Sequence, residues 1–230
     1  MADPTAIETL RQKSPALALV AGFASNQQQD QLAWLMLLWL ELRHAETVAS
    51  EPLLAATRIS WWKQAFQTGQ SDAVPLADHV IRSATAEQLA WLAEWADRRI
   101  LDLIEGEDLR LGMDKGKASH RVFAKLLLSV IGLDPKDQAW RKAAESVIIK
   151  LEAALAHTTE NRNTEMPGLP SFTVPSSSPL SKEQRKGRLI LELLAWLAEE
   201  PLRLEYPDRY PLLALAMTWK ALKGVKQARC

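Results

Sequence analysis

Residues 32–69 read LAWLMLLWLELRHAETVASEPLLAATRISWWKQAFQTG, and their spacing predicts two long helices joined by a tight link. The apolar run from Leu32 to Leu40 is nine residues long. A membrane-spanning helix needs about 20 apolar residues, so this run indicates a buried core helix instead. We predict that this helix extends from about Gln28 to Ala49.

The second helix of this stretch is marked at both ends. Glu51-Pro52 opens it, because proline is tolerated in the first turn of a helix. Gly69 is placed to end it, since glycine readily adopts the left-handed conformation that terminates helices. Its apolar stripe follows helical spacing and comprises Ala55, Ile59, Trp62 and Phe66.

Helical periodicity continues toward the C-terminus. Thr85 and Gln88 form a capping box for a third helix that ends near Glu105. We expect its buried face to comprise Leu89, Leu92, Ala96, Ile100 and Leu103. After a polar loop at Gly106–Gly116, a fourth helix is predicted over Lys117–Ile131, ended by Gly132, and a fifth over Asp137–His157.

The composition then changes. Thr158–Leu180 is rich in Pro, Ser and Thr, which predicts a long loop. Ser181 and Gln184 form a second capping box, which opens a helix that extends to about Glu199, where Pro201 stops it. A final helix is predicted over Pro211–Leu222. With no strand pattern and no repeat, residues 1–230 are predicted to form one all-α domain.

Charge and cysteine content narrow the class of protein. Lys and Arg together number 28, as do Asp and Glu, and this balance argues against a dedicated nucleic-acid binder. The single cysteine is Cys230, so neither a disulfide framework nor a cysteine metal site is expected. Met1–Pro15 lacks a signal-peptide pattern. We therefore expect a soluble cytoplasmic protein without a transmembrane segment, with peripheral membrane contact left open.

A set of residues in the opening stretch resembles the squalene/phytoene synthase family. The residues are Glu41, Leu42, Glu46, Val48, Ser50, Glu51 and Pro52, followed by Arg58, Trp61 and Trp62. The resemblance is greatest to the branch that contains the mitochondrial complex I assembly factor. In that branch a helix with an E-L-x-x-x-x-[DE]-x-V-x-[ED]-P-like ending precedes a helix with R-x-x-W-W.

Two later segments agree with this resemblance. Ala96–Arg99, followed by Asp102 and Leu103, is similar to the family's A-R-x-x-D-L helix. Leu126–Gly132 is similar to the end of the helix that follows. The resemblance covers about residues 30–160 and implies an all-helical prenyl-synthase-like bundle around a central cavity.

The chemistry of the family requires acidic residues that this chain partly lacks. Its enzymes ionise an allylic diphosphate and hold the leaving group through Mg²⁺, which prefers carboxylate oxygens. Two carboxylate pairs at i, i+4 are needed, and the resemblance places them at Glu46 and Ser50, and at about His157 and Asn161. At least two of these four positions carry no acid, although Glu51 and Glu160 lie nearby.

The resemblance therefore implies a relic diphosphate and metal region. Its candidate residues are Arg43, Glu46, Ser50, Glu51, Arg58, His157 and Glu160, with Glu46 as the candidate metal ligand. No cofactor is expected, and Mg²⁺ is implied only if the protein is an active enzyme. His120 and Arg121 replace the family's Tyr and small-residue pattern.

Several charged residues of this region also have a purely structural interpretation. Arg43 and Glu46 are three residues apart and fit an ordinary surface ion pair equally well. Arg58 is expected to be buried, stacked on the indole of Trp61 or Trp62 and paired with Glu46 or Glu51. Arg98 and Arg99 are expected on a solvated face.

The tryptophan and histidine residues also have structural interpretations. Tryptophans at helical spacing are expected in the core, namely Trp34, Trp91, Trp95 and Trp196. The four histidines are His44, His79, His120 and His157, and their spacing disfavours a metal role.

Three functions follow. The favoured one is a catalytically degenerate family member that binds a protein partner, with respiratory-complex assembly as the precedent. The second is an active Mg²⁺-dependent prenyltransferase acting on farnesyl or geranylgeranyl diphosphate, in which Glu46, Glu51 and Glu160 would converge. The third is an isoprenoid or lipid carrier with an apolar cavity.

Overall fold

A computed structural model describes residues 5–49, 51–72, 74–105, 118–160 and 180–199, and these residues form nine α-helices without a β-strand. The helices are α1 (Ala6–Lys13), α2 (Pro15–Ala21), α3 (Asn26–Val48), α4 (Pro52–Thr68), α5 (Pro75–Ser83), α6 (Ala86–Glu105), α7 (Ala118–Val130), α8 (Gln138–Glu160) and α9 (Lys182–Ala198). The all-α class predicted from the sequence is therefore confirmed for the described residues.

The predicted helix boundaries are confirmed where the sequence carries capping signals. Gly69 ends α4 with a φ of 70°, in the left-handed region that favours glycine. The Thr85 amide donates to Gln88 Oε1 at 2.9 Å, and the Gln88 amide donates to Thr85 Oγ1 at 3.2 Å, which closes the predicted capping box of α6. Ser181 and Gln184 form the same reciprocal pair at the start of α9.

Three short helices were not predicted. The structure places α1 and α2 before the predicted first helix, and α5 between the predicted second and third helices. Thr5 and Glu8 form a capping box for α1, while Pro15 and Pro75 open α2 and α5. Helices of seven to nine residues present only two turns, so their periodicity is weak in the sequence.

The predicted loop starts too early. Residues 158–160 belong to α8, because no helix-breaking residue occurs before Pro167. The rest of that loop, the polar loop at 106–116, Pro201 as a helix stop and the predicted helix at Pro211–Leu222 lie outside the described residues.

Contacts between the helices fix their relative directions. Gln31, in the first half of α3, donates to the carbonyl of Ser83, just before α6. Glu46, near the end of α3, contacts Arg99 in the second half of α6. Helices α3 and α6 therefore run in the same direction. Helix α7 runs opposite to α6, because Gln88 contacts Ser129 and Asp102 contacts Ser119. The turn at 131–137 then reverses the chain into α8.

One end of this bundle collects several helix ends. Helix α3 ends there at Val48, α4 begins at Pro52, α6 ends at Glu105 and α7 begins at Ala118. We call this the Val48 end. The opposite end contains Gly132, where an added Cβ would meet Nε2 of Gln28 at 2.7 Å.

The interior between the long helices is filled by large side chains. Trp39, Trp95, Met36 and Leu127 are fully buried in one continuous hydrophobic core. The core placement predicted for the tryptophans is confirmed for Trp34 and Trp95, and Trp91 and Trp196 are half-buried against the same core. Among the described helices, none combines the length and apolarity needed to cross a bilayer.

Candidate functional site

The candidate site is a group of charged side chains enclosed by three helices near the Val48 end. It consists of Trp39, Arg43 and Glu46 from α3, Arg99 from α6 and Glu152 from α8. We call this group the ion-pair cluster. Helix α3 contributes three members and α6 and α8 contribute one each, and the contacts between these side chains join the three helices.

Arg99 is the centre of the cluster. Its Nε donates to Glu46 Oε1 at 2.5 Å, its Nη2 donates to Glu46 Oε2 at 2.6 Å, and its Nη1 donates to Glu152 Oε1 at 3.1 Å. The residue is only 5% exposed. A planar guanidinium suits this geometry, because its donors form a fork that matches both oxygens of a carboxylate.

Glu152 receives three donors. Trp39 Nε1 donates to Oε1 at 2.9 Å, Arg99 donates to the same oxygen, and Arg43 Nη1 donates to Oε2 at 2.6 Å. Both Glu152 oxygens are therefore occupied by hydrogen bonds from side chains that carry a charge or an indole N–H.

The charges of the cluster determine the pKa values within it. Burial by itself would raise the pKa of Glu152, but the positive charges of Arg99, Arg43 and His120 and the Trp39 hydrogen bond together lower that pKa to about 2. Burial by itself would lower the pKa of Arg99, but the carboxylates of Glu152 and Glu46 raise it well above its usual value. Both Glu152 and Arg99 are therefore ionised at neutral pH.

Aromatic rings flank the cluster on its apolar side. The Arg99 Cζ lies 5.6 Å from the centroid of the Trp95 ring, within cation–π distance. The rings of Trp95 and Phe123 are 4.7 Å apart, and those of Trp39 and Phe123 are 6.3 Å apart. All three rings are buried, so aromatic side chains fill the space beside the Arg99 guanidinium.

The candidate residues from the sequence separate into three groups. Arg43 and Glu46 both belong to the cluster, although each pairs with another helix and not with the other as a surface pair. Glu51 and Arg58 are exposed on α4 and its N-cap. Ser50 lies outside the described residues, and for His157 and Glu160 the structure describes the backbone alone.

Two expectations are corrected by burial. Arg58 is exposed, so the predicted buried stack on Trp61 or Trp62 is wrong; Trp61 instead donates to Asp72 at 3.1 Å. Arg99 is buried and only Arg98 is exposed, so the predicted solvated face holds for one of the two. The reason is helical phase, because Arg99 lies four residues after buried Trp95, on the core side of α6.

Sequence reasoning missed Arg99, Glu152 and Trp39 as site residues, although a signal was present for the two charged ones. Glu152 follows Ile148 by four residues and precedes Leu155 by three, which is the core phase of α8. A basic residue and an acidic residue in core phases of two helices indicate a buried pair, because an unpaired buried charge is very costly.

The ion-pair cluster does not fit a Mg²⁺-diphosphate centre. Mg²⁺ requires carboxylate oxygens that face the metal, but both oxygens of Glu46 accept from Arg99, and those of Glu152 accept from Arg43, Arg99 and Trp39. A divalent cation here would also be repelled by two guanidinium groups. Within the described residues, no group of three or more His, Cys, Asp or Glu side chains is arranged to hold a metal ion.

A small pocket lies apart from the cluster, between α3, α5, α6 and α7. Trp34, Leu38, Val80, Leu92 and Leu126 line most of it. Its volume is about 30 Å³, which leaves room for roughly two water molecules. Sites for organic ligands are at least about ten times larger, at roughly 300–1,000 Å³.

Comparison with known proteins does not assign this chain to a family. No protein-family model, no curated protein and no solved structure matches the chain.

Proposed function

We propose that this chain is a catalytically degenerate relative of the squalene/phytoene synthases, with a prenyl-synthase-like arrangement of its helices, and that it acts by binding a protein partner. Assembly of a respiratory complex is the role that the resemblance suggests. The observation that carries the proposal is the pairing of Glu46 with Arg99 through two contacts of 2.5 and 2.6 Å.

This pairing supports binding over catalysis for an electrostatic reason. A diphosphate site needs excess negative charge to collect Mg²⁺, and the metal ions in turn hold the diphosphate. The cluster contains two arginines and two glutamates, so its formal charge is zero. Its acids already neutralise internal cations, and the four residues stabilise the packing of α3, α6 and α8 instead.

The prenyltransferase and isoprenoid-carrier functions have less support. For prenyl transfer, Glu46, Glu51 and Glu160 would have to converge, but Glu51 is exposed and Glu46 faces Arg99. For isoprenoid storage, an apolar cavity is needed, but the space beside the cluster holds the rings of Trp39, Trp95 and Phe123. The pocket lined by Trp34 is too small for a chain of 15 carbons.

The test is a diphosphate-release assay on the full chain. Farnesyl and geranylgeranyl diphosphate are each incubated with folded protein, with and without Mg²⁺ or Mn²⁺. We expect no release above the protein-free background, and no heat of Mg²⁺ binding in a calorimetric titration. Glu46→Gln serves as the diagnostic variant, and Glu51→Gln is its matched control at an exposed position.

Each result discriminates between the functions. Metal-dependent release that Glu46→Gln abolishes and Glu51→Gln preserves would overturn the proposal and establish a prenyltransferase. An isoprenoid found by mass spectrometry in an organic extract of the purified protein would favour the carrier. The absence of both, in protein that unfolds cooperatively, supports a binding role.

A further inference from the structure

Large exposed apolar side chains are concentrated at one end of the molecule. In the described part of the chain they are Val48, Leu53, Leu54, Leu101 and Ile104, with exposed fractions of 55%, 70%, 51%, 37% and 59%. We call them the apolar patch. Single exposed leucines are ordinary on a protein surface, but a group of them on one surface marks a place where something binds.

The helix directions bring these five residues to the same end. Val48 is the last residue of α3, and Leu53 is the second residue of α4. Lys63 of α4 contacts Asp97 of α6 at 2.5 Å, and the two helices run in opposite directions. Moving seven residues back from Lys63 and seven forward from Asp97 therefore brings Ala56, in the second turn of α4, to the level of Ile104. The patch thus covers the Val48 end.

The chain itself contains a segment suited to this patch. Residues 211–222 read PLLALAMTWKAL, with Lys220 as their one charged residue. On the predicted helix, Leu212, Leu215, Trp219 and Leu222 would share one face. By contrast, residues 106–117, which directly follow α6, contain six charged residues among twelve and offer no comparable apolar stripe.

Reach and tethering also favour this occupant. Residues 200–210 can span up to about 36 Å when extended. This reach is comparable to the length of the 23-residue helix α3, which is about 35 Å, so residues 200–210 are long enough to span the length of the longest helices. A tethered segment also acts at an effective concentration of the order of millimolar, which favours it over a separate partner.

We propose that residues 211–222 of this chain pack against the apolar patch at the Val48 end. The occupant is thus a segment of the same chain and not a separate molecule. The inference does not depend on the proposed function.

Photo-cross-linking of the full chain tests this contact. The photoreactive amino acid p-benzoylphenylalanine replaces Leu53 in one variant and Lys136 in the control, which is exposed at the opposite end of the bundle. After irradiation, peptide mass spectrometry maps the products, and gel mobility separates cross-links within one chain from those between chains. We expect position 53 to cross-link to residues 211–222 of the same chain, and position 136 not to.

A second pair of variants ties the cross-link to apolar packing. Leu215→Glu places a carboxylate on the apolar face of the segment, and we expect the yield from position 53 to fall by about tenfold. Lys220→Glu also changes charge, but at a position that is already charged, and we expect it to leave the yield unchanged. An equal fall in both variants would show that the contact is not an apolar one.

Two results would overturn the proposal. Cross-links from position 53 that join two copies of the chain would make the patch a dimer interface. The absence of a cross-link from position 53 to residues 211–222 would by itself overturn the proposal, and binding to phosphatidylserine vesicles that Leu53→Ser and Leu54→Ser abolish would then make the patch a membrane contact.

Discussion

Arg99 and Glu46 are 53 residues apart in the sequence and meet in a two-point ion pair, with Nε–Oε1 at 2.5 Å and Nη2–Oε2 at 2.6 Å. The arginine side chain is 6% exposed and the glutamate side chain 19%. A pair this buried lies in a low-dielectric environment, where each partner depends on the other for compensation of its lost hydration. The stability of the bundle should therefore depend on both charges.

Arg99→Met should lower the free energy of unfolding by about 3–5 kcal/mol, because it removes the arginine that pairs with Glu46 and one of the two arginines that pair with Glu152. Methionine keeps most of the side-chain volume, so the loss reports charge and not a cavity. The measurement is urea unfolding followed by circular dichroism. Arg98→Met, at the exposed neighbouring position, should change stability by no more than about 0.5 kcal/mol. Equal effects of the two substitutions would contradict the assignment.

Stability should fall in acid through Glu152. The pKa of this carboxyl is about 2 in the folded protein and 4.5 in its unperturbed state, so the unfolded state binds the proton more tightly. The stabilisation is complete above about pH 4.5 and is lost as the pH falls toward 2, with a total of about 3 kcal/mol. Glu152→Gln should flatten this part of the pH profile, measured as the urea midpoint at pH 2–6.

The control for this pH profile is Glu87→Gln, which alters an exposed glutamate in the first turn of α6. This variant should retain the acid-dependent loss of the parent protein. If Glu152→Gln lost stability across pH 4.5 to 2 as steeply as the parent, another acid would be responsible for the loss.

Arg58→Leu should leave stability within about 0.5 kcal/mol of the parent, because the Arg58 side chain is exposed on α4. The sequence pattern predicted the opposite outcome. Arg43→Leu should cost about 3 kcal/mol, since Arg43 binds Glu152 at 2.6 Å with a side chain that is 15% exposed. Thermal unfolding of the two variants side by side gives the comparison, and a larger loss in Arg58→Leu would restore the prediction from sequence.

Gly187→Ala should destabilise the protein by about 2 kcal/mol, although alanine is the better helix former. A Cβ at this position would clash with the carbonyl oxygen of Ile131 and lie 3.0 Å from Cγ of Leu133, so α9 would have to move away from the end of α7. The measurement is the thermal midpoint. Glu183→Ala, an exposed change in the same helix, should shift the thermal midpoint little. A Gly187→Ala protein as stable as the parent would show that α9 can move away from α7 at little cost.

The long helices of this fold were predictable because their signals are local. Thr85 and Gln88 bond to each other three residues apart, and Gly69 needs only its own backbone conformation to end α4. The helices α1, α2 and α5 were missed because two turns carry little periodicity and are stabilised mainly by packing.

Two members of the ion-pair cluster were named from the sequence, but for a diphosphate and metal region and not for buried ion pairs with other helices. Glu46 and Arg43 were identified from their neighbours in the sequence, but their partners Arg99 and Glu152 lie 53 and 109 residues away. Helical phase alone could have placed Arg99 and Glu152 in the core, and Arg58 on the surface. Helical phase could not have determined which of the opposite charges form pairs.

The sequence by itself therefore determined the helical class and most helix boundaries, because propensity and capping act over a few residues. The tertiary structure alone decided that Glu46 faces Arg99 and that Glu152 gathers Trp39, Arg43 and Arg99. That choice depends on how α3, α6 and α8 pack, and on the large free-energy cost of burying any one of these charges without a partner.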